Sequence, residues 1–199
     1  IVTMWVGSIG LLVRYLLGGV PAGDGLLAFV QFYMRPIGSP DILPYVRIVT
    51  ALFSASLVPA LYLAFKDWLD ERIALLGALL LAFDPFYAAH SRVLHHDALV
   101  TIFVAFSLMW MLTGLWHRYS HLKMALSGVA FALAVLSKLM GGILGPFFIA
   151  LLIVAYFRSP VFREMPRRDA LRRLLVAAAV WGVSAIAVFA LLTPGLWVD

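Results

Sequence analysis

An all-α, polytopic membrane helix bundle is the fold class that this sequence predicts, and three observations predict it. Of the 199 residues, 64% are hydrophobic and only 13% are charged, whereas a soluble domain is about 45–50% apolar and about 25% charged. The apolar residues form long runs, which argues against a soluble domain with one buried core. The basic residues collect in the segments that flank these runs, as they do in membrane proteins.

Six apolar segments are predicted to cross the membrane, which takes about 20 helical residues each. They cover residues 47–65, 72–90, 98–116, 122–137, 141–157 and 174–192. The second is interrupted at Asp84 and Pro85, so we expect it to span to about Phe83 and to continue as a short helix that Asp84 caps. The fourth and fifth are short, and a tight turn between Lys138 and Gly142 is expected to separate them.

Residues 1–46 are predicted to be part of a first extracytoplasmic loop with interfacial helices, ahead of a transmembrane bundle over residues 47–199. The apolar run 1–17 is broken by two glycines and an internal arginine, which suits a helix at the membrane surface better than a span. A second short helical piece is expected near residues 26–33. Since the chain opens without methionine and stops directly after an apolar segment, we expect it to be an internal fragment of a longer protein.

The distribution of positive charge predicts the orientation of the bundle. The loops 66–72, 117–123 and 158–173 hold ten of the 15 Lys and Arg residues, so the positive-inside rule assigns them to the cytoplasm. The loop 91–97 and the turn at Lys138 then face the extracytoplasmic side. The pI near 9.8 therefore reflects topology and contact with membrane lipids, and no nucleic-acid partner is predicted.

Ionisable residues at the extracytoplasmic boundary are the candidate functional groups, because charged groups are costly at membrane level and usually mark a site. One break in the apolar pattern contains Arg92, His95, His96 and Asp97, and another contains Lys138. Asp97 is interpreted either as a helix N-cap or as a carboxylate that binds a polar substrate or a metal. Arg92 and Lys138 are either snorkelling side chains or cations that bind phosphate.

Cofactor binding is predicted only in outline. The chain has no cysteine, which excludes disulfides and thiolate metal sites. Two adjacent histidines do not form a recognisable ligand spacing, so no metal ligand is assigned. A divalent metal ion near Asp97 stays open as an alternative.

Several of these stretches resemble membrane glycosyltransferases of the GT-C superfamily, in particular the protein mannosyltransferase and aminoarabinose-transferase-like family. The resemblance rests on the run PFYAAHSRVLHHD, which ends at Asp97 where a span begins, and on AVLSK, which ends at Lys138 and is followed by glycines. The opening VTMWVGS and the closing PGLWVD also look like bacterial members. The order of these stretches and their common side of the membrane carry the resemblance.

The resemblance implies a multi-pass enzyme of the prokaryotic plasma membrane that uses a polyprenyl-phosphate-linked sugar donor. It would transfer the sugar, with inversion, to a lipid, glycan or protein acceptor on the extracytoplasmic face. It implies that Asp97 is a catalytic residue that positions substrate or a metal, that Arg92 neutralises the donor phosphate, and that Lys138 and His96 are further substrate-binding candidates. The general base is expected upstream of Ile1.

A multi-pass transporter or a flippase for lipid-linked sugars is the alternative function. Such a protein is expected to carry charged residues near the membrane midplane and broken helices in matching halves. Here the ionisable residues cluster at one boundary and the sequence has no repeated halves, which favours the enzyme. A third interpretation, a membrane scaffold without catalytic activity, does not explain the ionisable cluster from Arg92 to Asp97.

Overall fold

The computed structural model describes residues 2–17, 25, 43–66, 68–91 and 96–193, and its secondary structure within these ranges is entirely helical. The predicted all-α, polytopic class is confirmed. A π-helical turn over Thr113–His117 extends the helix that ends at Leu112, and a 3-10 helix over Leu139–Ile143 precedes the helix that begins at Leu144. The α-helices are α1 (Val2–Leu16), α2 (Leu43–Phe65), α3 (Glu71–Ala82), α4 (Pro85–Ser91), α5 (His96–Leu112), α6 (His121–Ser137), α7 (Leu144–Arg158), α8 (Pro160–Arg163) and α9 (Arg167–Leu192).

Four helical stretches in the described ranges are long and apolar enough to cross a membrane, and a fifth is added if α3 and α4 form one broken span. The four are Leu43–Phe65, His96–His117, Leu139–Arg158 and Arg167–Leu192, and α3 and α4 meet at an angle of 61°. The fourth predicted span, over residues 122–137, corresponds to α6, which has 17 residues. It pairs with α5 along its length: Lys138 contacts Asp97 at one end, Ser127 bonds to Ser107 in the middle, and Lys123 lies against Gly114 at the other end.

The break between α3 and α4 lies where the sequence predicts it. Asp84 caps α4 as expected, since its carboxylate accepts a hydrogen bond of 2.6 Å from the backbone N–H of Tyr87. The hydroxyl of Tyr87 donates to the backbone carbonyl of Ser54 at 3.0 Å. This buried bond anchors α4 against α2 and sets the position of the chain just before the candidate site.

The centre of the bundle is the antiparallel pair of α5 and α6, packed against α9. The hydroxyls of Ser107 and Ser127 each donate to the other residue's backbone carbonyl, at 2.8 and 2.7 Å, and both side chains are fully buried. A Cβ on Gly128 would collide with the backbone carbonyl of Trp181 in α9. Small residues allow membrane helices to approach this closely, and hydroxyls bond across the contact.

Helix α1 connects three other helices at the end of the bundle where α5 begins. Thr3 Oγ1 lies 2.9 Å from His96 Nδ1, and the indole N–H of Trp5 donates to the carbonyl of Leu192 at the end of α9 at 3.2 Å. Gly10 packs against the first turns of α2. The prediction that this helix lies at a membrane surface stays a prediction, as does the division at residue 46. The expected helical piece at 26–33 falls outside the described residues.

Two predicted boundaries are wrong. Helix α9 begins at Arg167, well ahead of the predicted start at 174, so four arginines of the predicted loop lie on its first two turns. The predicted start lies where the sequence becomes apolar. The helix itself begins earlier, after Pro166 and with Asp169 in its first turn, and both residues favour a helix start. The expected turn after Lys138 is the 3-10 helix Leu139–Ile143, in which Gly141 packs closely on Ala134.

Candidate functional site

An ion pair joins two of the predicted site residues at one end of the bundle. Lys138 Nζ lies 2.7 Å from Asp97 Oδ1, and the two side chains are 44% and 29% exposed. The partners are 41 positions apart in sequence, and the antiparallel pairing of α5 and α6 brings them together. A half-exposed pair at a helix end is accessible to a ligand and yet has a fixed geometry.

Asp97 lies within α5 as its second residue. The interpretation of this side chain as an N-cap is therefore wrong. A carboxylate in the first turn still interacts favourably with the positive end of the helix dipole, while its backbone carbonyl accepts a bond from the Thr101 hydroxyl at 2.8 Å. The side chain accepts a hydrogen bond of 2.7 Å from the Lys138 ammonium group.

Lys138 is held by the chain on both sides. Its backbone is extended, with φ −152° and ψ 130°, and its N–H donates to the carbonyl of Ala134 at 3.0 Å. Its own carbonyl accepts from Gly141 N–H at 2.8 Å. A Cβ on Gly141 would lie 2.8 Å from the carbonyl carbon of Ala134, so only glycine permits this approach. The 3-10 helix thus packs directly on the end of α6 and fixes the backbone from which the Lys138 side chain projects.

His96 is exposed at the start of α5, and its ring bonds to Thr3 of α1. Thr3 is 2% exposed, so the imidazole is directed toward a buried hydroxyl on a different helix from Lys138. Sequence reasoning missed Thr3, because a contact over 93 positions leaves no local pattern. The structure brings Asp97 and Lys138 together and orients His96 toward α1.

Residues 29–183 match the family described as dolichyl-phosphate-mannose-protein mannosyltransferase. The chain belongs to this family. The match covers well over half of the chain and includes Asp97 and Lys138. No curated protein and no solved structure matches the chain.

Membership in the mannosyltransferase family confirms the coarse functional predictions. Together with the spanning helices it places this chain among the integral membrane glycosyltransferases of the GT-C type. The family match decides this, because helix length and composition alone are equally compatible with a transporter. The roles of the individual site residues stay predictions.

Two of the predicted ionisable residues, Arg92 and His95, fall outside the described residues of this mannosyltransferase-family chain. In the sequence they lie between Ser91, the last residue of α4, and His96, the first residue of α5. Within the described ranges no group of three or more His, Asp or Glu side chains has the geometry to hold a metal ion. A divalent ion bound here would need ligands from the substrate in addition to Asp97.

Proposed function

We propose that this chain forms the donor-binding part of an enzyme that transfers a sugar from a polyprenyl-phosphate carrier to an acceptor on the extracytoplasmic face of a prokaryotic plasma membrane. The family match over residues 29–183 carries the proposal. The ion pair of Asp97 and Lys138, which lies within the matched region at one end of the helices, supports the location of the site. A lipid-linked donor would reach it sideways from the bilayer.

The proposed reaction breaks the bond between the anomeric carbon of the sugar and the phosphate oxygen of the carrier. The electron pair of that bond leaves with the phosphate, and the acceptor hydroxyl attacks the opposite face of the carbon, which inverts its configuration. The hydroxyl proton passes to a base, to which we assign no residue of this chain. Cationic groups close to the departing phosphate lower the barrier because negative charge grows there.

Lys138 is proposed to supply one such charge and Arg92 another. An ammonium group has three donors, so Lys138 can keep its bond to Asp97 and bind a phosphate oxygen at the same time. Asp97 then acts on the reaction by orienting the lysine and by contacting the substrate. His96 is proposed as a further substrate contact at the entrance, between the ion pair and α1.

A divalent metal ion is an alternative means of neutralising the phosphate. Mg²⁺ binds through one or two carboxylates together with substrate phosphates, and Asp97 would be the carboxylate in this site. The two alternatives differ in a simple measurement. If transfer stops with a chelator and returns with Mg²⁺, Asp97 would be a metal ligand. If transfer is unaffected by the chelator, Asp97 would act by orienting Lys138.

The main test measures sugar transfer from radiolabelled polyprenyl-phosphate mannose in native membranes that carry the whole protein. We expect Asp97→Asn and Lys138→Met each to lower transfer by about 100-fold, the typical effect of removing one stabilising group. Lys66→Met is the matched control, because Lys66 follows the last turn of α2 and belongs to the loop predicted to face the opposite side. Immunoblotting checks that all variants insert equally.

A charge-swapped double variant, Asp97→Lys with Lys138→Asp, separates catalysis from structure. It can restore an ion pair, so recovery of full transfer would show that the pair only holds the helices together, and the proposed site would be wrong. Persistent loss supports direct contact with the donor. If the wild-type protein moved the labelled lipid across the membrane without consuming it, the flippase alternative would replace the transferase.

A further inference from the structure

A cavity with a charged lining lies at the opposite end of the α5–α6 pair from Asp97 and Lys138. It has a volume of about 560 Å³, and the connection between α5 and α6 and the start of α9 line it. The helical stretch His96–His117 separates the two ends, which at 1.5 Å per residue places them about 30 Å apart. The lining residues are Tyr119, His121, Met165, Pro166, Asp169, Arg172, Arg173 and Val176.

The walls of this cavity are held together by Tyr119. Its hydroxyl donates to the backbone carbonyl of Arg173 at 3.0 Å, and the Arg173 guanidinium lies 5.8 Å from the centre of its ring. The ring also meets Phe162 edge-on, with 6.2 Å between ring centres. Burial raises the pKa of the Tyr119 hydroxyl, although the charge of Arg173 acts in the other direction. The phenol therefore stays a neutral donor at physiological pH, and the connection stays fixed to α9.

The charges around the cavity favour an anion. Arg172 and Arg173 contribute two guanidinium groups to the lining, against one carboxylate from Asp169. In the described part of the chain neither arginine forms an ion pair with Asp169. The cavity also borders the first turns of α9, whose start has no side-chain cap, so the positive end of the helix dipole adds to the same field.

The position of the cavity distinguishes a lipid from a soluble anion. Met165 and Val176 give it an apolar side, and Val176 is also exposed on the surface of α9. An exposed apolar surface beside arginines is the arrangement found where a helix leaves the hydrocarbon for the headgroup layer. Phosphates of the bilayer lie at that level, whereas a small soluble anion would make no favourable contact with the apolar side.

We propose that this cavity binds the phosphate of an anionic phospholipid from the leaflet at the Tyr119 end of the bundle. The guanidinium groups of Arg172 and Arg173 bind the phosphate oxygens, since their planar forks match phosphate geometry. The glycerol backbone lies along Met165 and Val176. The bound lipid bridges the α5–α6 connection and α9, and so stabilises the contact between them. This site is separate from the site of sugar transfer.

The experiment measures the Tm of the purified protein in a neutral detergent with added phosphatidylglycerol, phosphatidylcholine or inorganic phosphate. A ligand that binds only the folded protein raises its Tm. We expect phosphatidylglycerol to raise the Tm, and the two other additions to leave it unchanged. An equal rise with inorganic phosphate would assign the cavity to a soluble anion, and no rise with phosphatidylglycerol would overturn the proposal.

Variants of the arginines locate the site. We expect the double variant Arg172→Gln with Arg173→Gln to need on the order of 100-fold more phosphatidylglycerol for the same rise, because it loses two charged hydrogen bonds that each contribute about tenfold or more in affinity. The control is Arg118→Gln with Arg158→Gln, which removes the same charge from exposed positions outside the cavity lining. Equal weakening in both doubles would show general surface attraction and overturn the proposal.

A third double variant covers the case in which the glutamine variant does not fold. Arg172→Lys with Arg173→Lys keeps both charges and loses the planar forks. We expect it to fold and to bind phosphatidylglycerol more weakly than the wild type. Wild-type affinity in the lysine variant would contradict guanidinium recognition of the phosphate.

Discussion

Helices α5 and α9 both qualify as membrane spans, yet they are packed in opposite ways. In the most apolar stretch of α5, 61% of the residues are buried, whereas in that of α9 only 6% are. The buried residues of α9 are the alanines Ala170, Ala177 and Ala185, while Val183 and Ile186 are exposed. In a bilayer the outward face of a helix is as apolar as its inward face, so apolar content does not reveal which side is packed.

The comparison also explains where the candidate site lies. Both Asp97 and Lys138 belong to the α5–α6 pair, which is the most tightly packed part of the described structure. A catalytic group has to be held in place by its surroundings. Helix α9 supports this pair through its buried alanines and through Trp181, which packs on Phe131 of α6, while other large side chains such as Val183 and Ile186 are exposed.

The largest effect is expected at the contact between α6 and α9. Gly128→Ala would place a methyl group against the backbone carbonyl of Trp181, and overpacking of this kind costs about 1–3 kcal/mol. Gly182→Ala is the matched control, since nothing lies within 4 Å of a Cβ on that glycine of α9. Unfolding of both variants in mixed detergent micelles measures the difference. Equal stability would contradict the close packing of the two helices.

A smaller effect is expected at Gly141, where the packing determines the position of Lys138. Gly141→Ala forces the 3-10 helix away from Ala134, and a displacement of about 1 Å at a reacting group can cost about 100-fold in rate. We expect sugar transfer to fall by one to two orders of magnitude. Gly142→Ala is the neighbouring control, because the space around its Cβ is open. Equal activity of the two variants would show that the position of Lys138 does not affect sugar transfer.

The smallest effect is expected at the serine pair between α5 and α6. Ser107→Ala and Ser127→Ala each remove one of two reciprocal buried bonds, and such bonds in membrane proteins contribute about 0.6 kcal/mol on average. A double-mutant cycle measured by unfolding is expected to show a coupling energy of this order. Additive losses would mean that the two hydroxyls contribute independently of each other and would contradict the coupling expected from reciprocal bonds.

Local chemistry explains which features could be predicted from the sequence. The break at Asp84 and Pro85 was predictable because capping depends on neighbours within three residues. The candidate ion pair was predictable only as two isolated charges, since nothing in the sequence shows that Asp97 and Lys138 touch. The bond between Thr3 and His96 was not predictable, because it depends on how α1 lies across three other helices.

The sequence by itself determined the all-helical membrane class, the approximate spans and the small set of charged residues at the ends of the helices. These properties follow from apolar run length and from the cost of charge in a bilayer, which act residue by residue. Only the tertiary structure decided which faces are packed, that Gly128 and Gly141 are contact points, and that Lys138 pairs with Asp97. Packing between membrane helices depends on the shape of side chains at particular positions, and the hydropathy of the sequence does not predict which positions these are.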